Sequence, residues 1–391
     1  MFIDYTPEQR QLRDELRAYF ARFITPEVLA ENAESDGGGP LYTKALRQMG
    51  ADGWLGVGWP KAYGGLERSA VDQSIFFDEV QRTGFPIPFL TLCTVGPTLI
   101  KYGTSEQKAE MLPRILKGEL HFAIGYSEPG AGTDLAALTT KAVRDGDDYV
   151  VTGQKVFTSL AEYADYVWLA VRTDPEAPKH KGISILMVDT KSPGFSLSPI
   201  HTLGGNRTNV TYYDHVRVPV AMRVAGENEG WKLITMQLNH ERVALLAPGP
   251  VARFVEEVIA WAKETRRSDG RRVIEDPWVQ THLARARAHV EVLKLLAWRH
   301  ASKIDQGALD PAEASTVKVF GSESFVQIYS LLLEVLGPLG IVKAGSPGAI
   351  LRGRIETYYR TTLVLTFGGG VNEVQRDIIA MAGLGLPRAP R

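Results

Sequence analysis

With Cys93 as its one cysteine, the chain cannot form an intrachain disulfide, and the apolar flanks of FLTLCTVG make that residue a small core side chain. There is no Walker A pattern, no GxGxxG after a strand, no HExxH and no CxxC. The eight histidines are scattered, and His282 and His289 lie seven apart on one expected helix, too far for ligation from adjacent turns. A metal enzyme or a nucleotide hydrolase is therefore not expected. Charge of one sign is also missing. A net charge of −1 gives nothing to attract nucleic acid or an anionic membrane. The first residues, MFIDYTPEQ, carry neither a basic region ahead of an apolar run nor an Arg/Ser-rich presequence. The apolar stretch at 331–342 is too short to span a bilayer and is interrupted by Glu334 and Pro338. The expectation is a reduced, soluble, cytoplasmic protein.

The 391 residues are 44% hydrophobic, enough for a large core in two or three domains. Repeats and low-complexity segments are absent, but three zones differ in pattern. Residues 1–120 read as helices: Thr6, Pro7 and Gln9 form an N-cap, a proline at the first helical position and a capping box, and Thr104 with Gln107 repeats the box. Residues 121–228 read as strands, with AVRDGDDYVVTG as two strands around a turn, then YVWLAV, GISILMV and VTYYDHVRVP. Residues 229–391 return to helical spacing, clearest in VARFVEEVIAWAKE and LARARAHVEVLKLLAWRHASK. The fold class is mixed α and β, mostly α, ordered as helices, sheet, helices.

Four segments carry chemistry. In IGYSEPGAGTDL, residues 124–135, Ser127 and Thr133 bracket glycines Gly130 and Gly132, which let a backbone approach a polar or planar ligand. Read alone, the loop is also what a capped turn without a ligand looks like. In WKLITMQLNHERVALLA, Glu241 has helical neighbours Leu238, Gln237, Ile234, Ala244 and Leu245, four of them apolar. A carboxylate on that stripe is either a pocket base with a tuned pKa or half of a buried ion pair with a remote cation. In GQKVFTS, strand alternation puts Phe157 and Ser159 on one face, where an aromatic and a hydroxyl suit a flat ring or an ordinary half-buried strand. In LTFGGGVNEVQRDIIA, three glycines precede a helical run, an arrangement that suits an anion or a polar ring edge at free amides and is equally compatible with a plain turn, although a turn needs only one or two glycines.

These segments, with DHVRVP, resemble the acyl-CoA dehydrogenase family in content and in order across almost the whole chain. The ending LVLTFGGGVNEVQRDIIAMAGLGLPRAPR is similar to actinobacterial members that dehydrogenate CoA thioesters of steroid side chains. The resemblance implies an N-terminal helical domain (1–120), a central β-domain (121–228) and a C-terminal four-helix bundle (229–391), with FAD between them. It places Tyr126, Ser127, Gly132 and Thr133 against the flavin and the pantetheine of CoA, Thr133 serving both cofactor and substrate. Phe157, Thr158 and Ser159 meet the isoalloxazine, and Gly369, Gly370 and Asn372 belong to the same cofactor site. Phe157 and Ser159 depart from the usual Trp and Thr but keep a ring face and a hydroxyl.

Many members carry the catalytic base where Gly369 stands here, and glycine cannot act as one. A smaller group, isovaleryl-CoA dehydrogenases among them, carries it where Glu241 stands, in agreement with the stripe. Asn239 and Arg242 then fall at substrate contacts. The implied reaction is removal of an α-proton by Glu241 and transfer of a β-hydride to FAD, giving a trans-2-enoyl-CoA, with an electron-transfer flavoprotein as acceptor. An acyl-CoA oxidase on the same fold, or a non-catalytic subunit that completes a partner's flavin site, are the alternatives.

The resemblance also implies a tetramer in which a neighbour covers the FAD pyrophosphate. Arg266 holds the expected cation position. Asp269, however, precedes Gly270 where an aromatic belongs, and Glu334 and Pro338 replace a Gln and a Gly of a second motif. A carboxylate repels a pyrophosphate, and proline lacks a donor amide. Either a related, non-identical subunit supplies these contacts in an α2β2 complex, or the residues have drifted in a homotetramer.

Overall fold

The computed structural model describes residues 4–35, 37–245, 247–308 and 310–387, the side chains of 238–245 excepted. Among the described residues, six α-helices come first: α1 (Pro7–Ala21), α2 (Pro26–Ser35), α3 (Pro40–Ala51), α4 (Ala70–Thr83), α5 (Gly96–Tyr102) and α6 (Ser105–Leu116). The expected capping boxes start α1 and α6: the Thr6 and Thr104 hydroxyls accept from the amides of Gln9 and Gln107, whose side chains return the bond. Leu12, Leu16, Tyr19 and Phe20 of α1 are buried, as helical spacing demands.

Eight strands follow: β1 (Phe122–Gly125), β2 (Lys141–Asp145), β3 (Asp148–Lys155), β4 (Tyr166–Arg172), β5 (Ile183–Asp189), β6 (Phe195–His201), β7 (Arg207–Pro219) and β8 (Arg223–Val224). They form one sheet in the order β6-β7-β3-β2-β4-β5-β8, with β1 added parallel to β4. β2 and β3 are the hairpin read from AVRDGDDYVVTG. Strand β6 was not expected; its sequence, FSLSPIH, alternates weakly and contains a proline, yet it pairs with β7 along its length.

The chain then returns to helices: α7 (Gly230–Leu245), α8 (Gly249–Glu264), α9 (Pro277–Asp305), α10 (Pro311–Leu336), α11 (Arg354–Thr362) and α12 (Asn372–Ile378). The apolar run at 331–342 is the end of something longer. Glu334 does not interrupt α10, and a short 3-10 turn carries the helical stretch on to Ile341. By length and composition, Pro311–Ile341 is apolar enough to cross a membrane. Ser315, Lys318, Ser322 and Ser324 are nevertheless buried along it, and α10 packs against α8, α9, α11 and α12 as the centre of the bundle.

Three main apolar cores result. One joins the N-terminal helices to β1, β4 and β5 and to Leu233 and Ile234 of α7. A second fills the C-terminal bundle, and a third lies within the sheet domain, around Tyr149, Leu169 and Tyr213. Because α7 shares the first core, it is held by the helices and strands that precede it.

Candidate active site

The loop at 126–133 leaves β1 and is organised around a buried ion pair. Lys155, at the end of β3 and 0% exposed, donates to Glu128 Oε1 at 2.8 Å and to the Tyr126 carbonyl at 3.1 Å. Glu128 Oε2 accepts from the amide and hydroxyl of Thr139 at 2.7 and 2.8 Å, and Oε1 accepts from the Thr140 amide at 2.8 Å. Burial alone would raise the Glu128 carboxyl. The Lys155 charge and these donors overcome it and hold the group at about 2. Burial in turn pulls the Lys155 ammonium down to about 8 against the attraction of Glu128, so both are charged at neutral pH. Every partner is present, which is what makes such a pair tolerable in an interior.

Above this anchor, Glu128 and Ala131 exchange two backbone hydrogen bonds of 3.0 Å, and the Val156 amide donates to the Ser127 carbonyl at 2.8 Å. The two segments, 126–133 and 155–159, are thereby joined edge to edge. Gly130, Gly132 and Thr133 face outward, and a Cβ on either glycine would have nothing within 4 Å. Ser127 is half-buried.

The expected alternation through residue 159 takes a different form. β3 stops at Lys155, and Phe157 adopts a left-handed backbone with φ 60° and is 65% exposed. Thr158 turns inward and spends all its polar groups there. Its amide donates to the Asn209 carbonyl at 2.9 Å, its carbonyl accepts from Asn209 Nδ2 at 3.1 Å, and its hydroxyl lies 3.3 Å from that of Thr211. Ser159 points out again, its hydroxyl 3.0 Å from that of Thr208. An exposed aromatic on a strained backbone, beside open glycines and hydroxyls, suits a flat amphiphilic ring that covers the phenyl face and takes hydrogen bonds along its edge.

Lys318, fully buried on α10, staples both feet of the glycine loop: its ammonium reaches Asn372 Oδ1 at 2.6 Å and the Thr366 carbonyl at 3.4 Å. Asn372 also donates to Ser322 Oγ at 3.0 Å and Glu323 Oε1 at 3.1 Å, so its amide is committed between α10 and α12. Gly369 and Gly370 are left-handed, with φ 66° and 101°. A Cβ on Gly370 would stand 2.6 Å from the Gln375 side chain. Just before this loop, Arg360 donates to the Leu203 carbonyl, and the Thr361 hydroxyl lies 3.2 Å from Gly204 O and Asn206 Oδ1. The β6–β7 turn thus ties the C-terminal segment to the edge that carries Thr208.

Glu241, Asn239 and Arg242 lie on α7, but their side chains fall outside the described residues. Of the stripe that singled out Glu241, Ile234 and Gln237 are buried, so this face of α7 is inward at least to residue 237. Arg266 stands elsewhere, on an exposed hairpin, and its hydrogen bond, to the Gly270 carbonyl at 2.7 Å, stays within that hairpin. Asp269 faces Arg271, whose amide and guanidinium hold the carboxyl below its usual range. Glu334 accepts from His282 Nε2 at 2.7 Å. Both unexpected carboxylates on this side are therefore partnered within the chain.

Sequence reasoning passed over Glu128, Lys155, Lys318 and Gln237 as site residues. A lysine inside a strand and another in a long apolar helix were visible signals, since an ammonium at such positions requires a buried acceptor.

Models of three acyl-CoA dehydrogenase domains match the chain in order: the N-terminal domain at residues 6–119, the middle domain at 123–216 and the C-terminal domain at 228–384. The chain is 58% identical over 401 residues to acyl-CoA dehydrogenase FadE26 of Mycobacterium tuberculosis and 50% identical over 392 residues to FadE29 of the same organism, each match covering 100% of both chains. It is also similar to a chain in the crystal structure of the ChsE4–ChsE5 complex from Mycobacterium tuberculosis, with 58% identity, a TM-score of 0.93 and full coverage of both chains. A chain of the Tcur3481–Tcur3483 steroid ACAD superposes with a TM-score of 0.94 at 51% identity, again over 100% of both.

Proposed function

Because the chain belongs to the acyl-CoA dehydrogenase family, we propose that it is an FAD-dependent enzyme converting a bulky or branched acyl-CoA, of the steroid side-chain kind, to its trans-2-enoyl-CoA. The observation that carries this reading is the outward face built on the Glu128–Lys155 anchor, where Phe157, Ser159, Thr133 and the open glycines form a seat for a planar ring. That donor set fits a flavin. Tyr126, Ser127, Gly132 and Thr133 line it on one side and Phe157 and Ser159 on the other, while Gly369 and Gly370 offer backbone amides. Thr158 and Asn372 act from behind, holding their segments in place. FAD, when bound, supplies the acceptor for the hydride.

Glu241 removes the α-proton. A thioester α-C–H is weakly acidic, so its loss needs charge stabilisation at the thioester oxygen as well as a base, and the amides of Gly368–Gly370 are the candidates for that role. Asn239 and Arg242 orient the substrate. Glycine at 369 leaves space beside the acyl chain, which favours bulky groups. The neighbour named a steroid ACAD agrees with that preference, and the two-protein complexes among the similar structures support a related subunit as partner, with Arg266 in the cation role toward the FAD pyrophosphate that the family resemblance assigns it. An electron-transfer flavoprotein takes the electrons, in the cytoplasm.

The test is anaerobic flavin bleaching by straight-chain, branched and steroid acyl-CoAs, with wild type and Glu241→Gln side by side. The expected result is preferential bleaching by branched or steroid thioesters, and a rate lowered ~10²–10⁴-fold in the variant with FAD and ligand binding retained. A variant reduced at the wild-type rate removes Glu241 from the mechanism. Preference for butyryl- to palmitoyl-CoA over every bulky thioester removes the substrate assignment.

A further inference from the structure

Gln237 is the one polar residue among the helical neighbours of Glu241, and it is 2% exposed. Its amide bridges three elements. Tyr126 Oη donates to its Oε1, and its Nε2 donates to Thr98 Oγ1 at 3.0 Å. Thr98, fully buried on α5, gives its own proton to the Thr94 carbonyl at 2.7 Å. A threonine hydroxyl has one proton, so Thr98 can only accept from Gln237. That fixes the amide with its carbonyl toward Tyr126, and Tyr126 must then be the donor. The orientation is set by counting protons, with no freedom to flip. At its other end, Tyr126 is held through its carbonyl by Lys155 at 3.1 Å.

We propose that Gln237 is a positioning residue that locks the rotation of α7 to the 126–133 loop through Tyr126. The inference rests on the assignment of Glu241 as the base. Positions 237 and 241 are one helical turn apart and share a face. A side-chain tip lies roughly 5–6 Å from the helix axis, so a 20° roll of α7 displaces it by about 2 Å. A misplacement of about 1 Å can lower a rate ~10²-fold. The two bonds of the Gln237 amide tie the helix of the proposed base to the loop of the proposed ligand seat and to α5 behind it.

The test uses the flavin-loaded protein with Tyr126→Phe, Gln237→Met and the double variant. Flavin reduction by saturating acyl-CoA gives the rate, and titration with the enoyl-CoA product gives the affinity. The expected result is a reduction rate lowered about 10–100-fold in each single variant, with product affinity within about twofold of wild type. The double variant is expected to be no slower than the slower single variant, because Gln237→Met already breaks the bond that Tyr126→Phe removes, together with the bond to Thr98. Rate losses that multiply in the double variant, or losses matched by equal losses of product affinity, overturn the proposal. If Gln237→Met does not fold, Tyr126→Phe, which deletes a single oxygen, decides by the split between rate and affinity. Glu241→Gln measured in parallel keeps the two ideas apart. Full activity there refutes the base, whereas the Tyr126–Gln237 coupling is still judged by the same cycle on thermal unfolding of the holoprotein.

Discussion

Two regions of this chain hold charged residues in opposite ways. Under the 126–133 loop, one carboxylate and one ammonium are buried together, and the carboxylate is further satisfied by two amides and a hydroxyl. On the 266–276 segment, Asp276 is itself buried, but its partners Arg267 and Arg271 and the Arg271 partner Asp269 have side chains 38–56% exposed. A buried, fully satisfied pair fixes a geometry and punishes the loss of either member, whereas exposed pairs are screened and replaceable. The chain therefore invests its rigidity on the side where Phe157 and Ser159 are presented. The hairpin side keeps its shape through pairs within its own segment.

The largest effect should come from splitting the buried pair. Lys155→Met leaves Glu128 buried without its cation and is expected to destabilise the protein by about 3–5 kcal/mol in equilibrium unfolding at pH 7. A change within experimental error would dissolve the contrast between the two regions. The same pair sets a pH dependence. The folded carboxyl of Glu128, at about 2, lies below its ordinary value of 4.5, so between these values the unfolded chain binds more protons. Its contribution is complete above about pH 4.5 and is lost as pH falls toward 2. Glu128→Gln should flatten the acid limb of stability against pH over that window, while a limb as steep as wild type would locate the acid sensitivity elsewhere.

A smaller effect is expected at Phe157. Its left-handed backbone is strained by roughly 1–2 kcal/mol for a side chain, and Phe157→Gly relieves that strain while raising the entropy of the unfolded chain. The flavin-free variant should melt within a few degrees of wild type, yet bind flavin more weakly by titration. Unchanged flavin affinity would remove the ring from the seat.

The smallest effect is predicted for the hairpin. Asp269→Ala should leave the melting temperature of the chain expressed alone unchanged, and alter flavin content only when a related subunit is co-expressed. Size exclusion with flavin quantitation checks both. A homotetramer of the chain alone, with one flavin per subunit and full activity, would end the two-subunit reading.

The order of elements was legible because its signals are local. Capping at Thr6 and Thr104 needs four consecutive residues, and the β2–β3 hairpin is announced by Asp-Gly between alternating apolar positions. β6 escaped because it is an edge strand with no fully buried residue, so it needs little apolar pattern of its own. Among candidate site residues, Phe157 and Ser159 are both exposed, but through a left-handed kink at 157 beyond the end of β3 and not through strand alternation, and no spacing announces that kink. Thr158 and Asn372 lay in the right motifs, but whether a polar side chain faces a ligand or braces its own loop depends on partners distant in sequence. Asn209 and Thr211 stand about 50 residues from Thr158, as does Ser322 from Asn372. Gln237 was hidden for the same reason, since its partners are 111 and 139 residues away.

The left-handed backbone at Gly369 bears on how such an enzyme can change over evolutionary time. On the proposed assignment of the base to Glu241, residue 369 is free to be glycine, and it takes a φ of 66°. With Gly370 closed against Gln375 and both feet of the loop stapled by Lys318, a carboxylate side chain placed at 369 meets a strained conformation. On that assignment, placing a base at 369 takes a remodelling of the loop and not a single substitution.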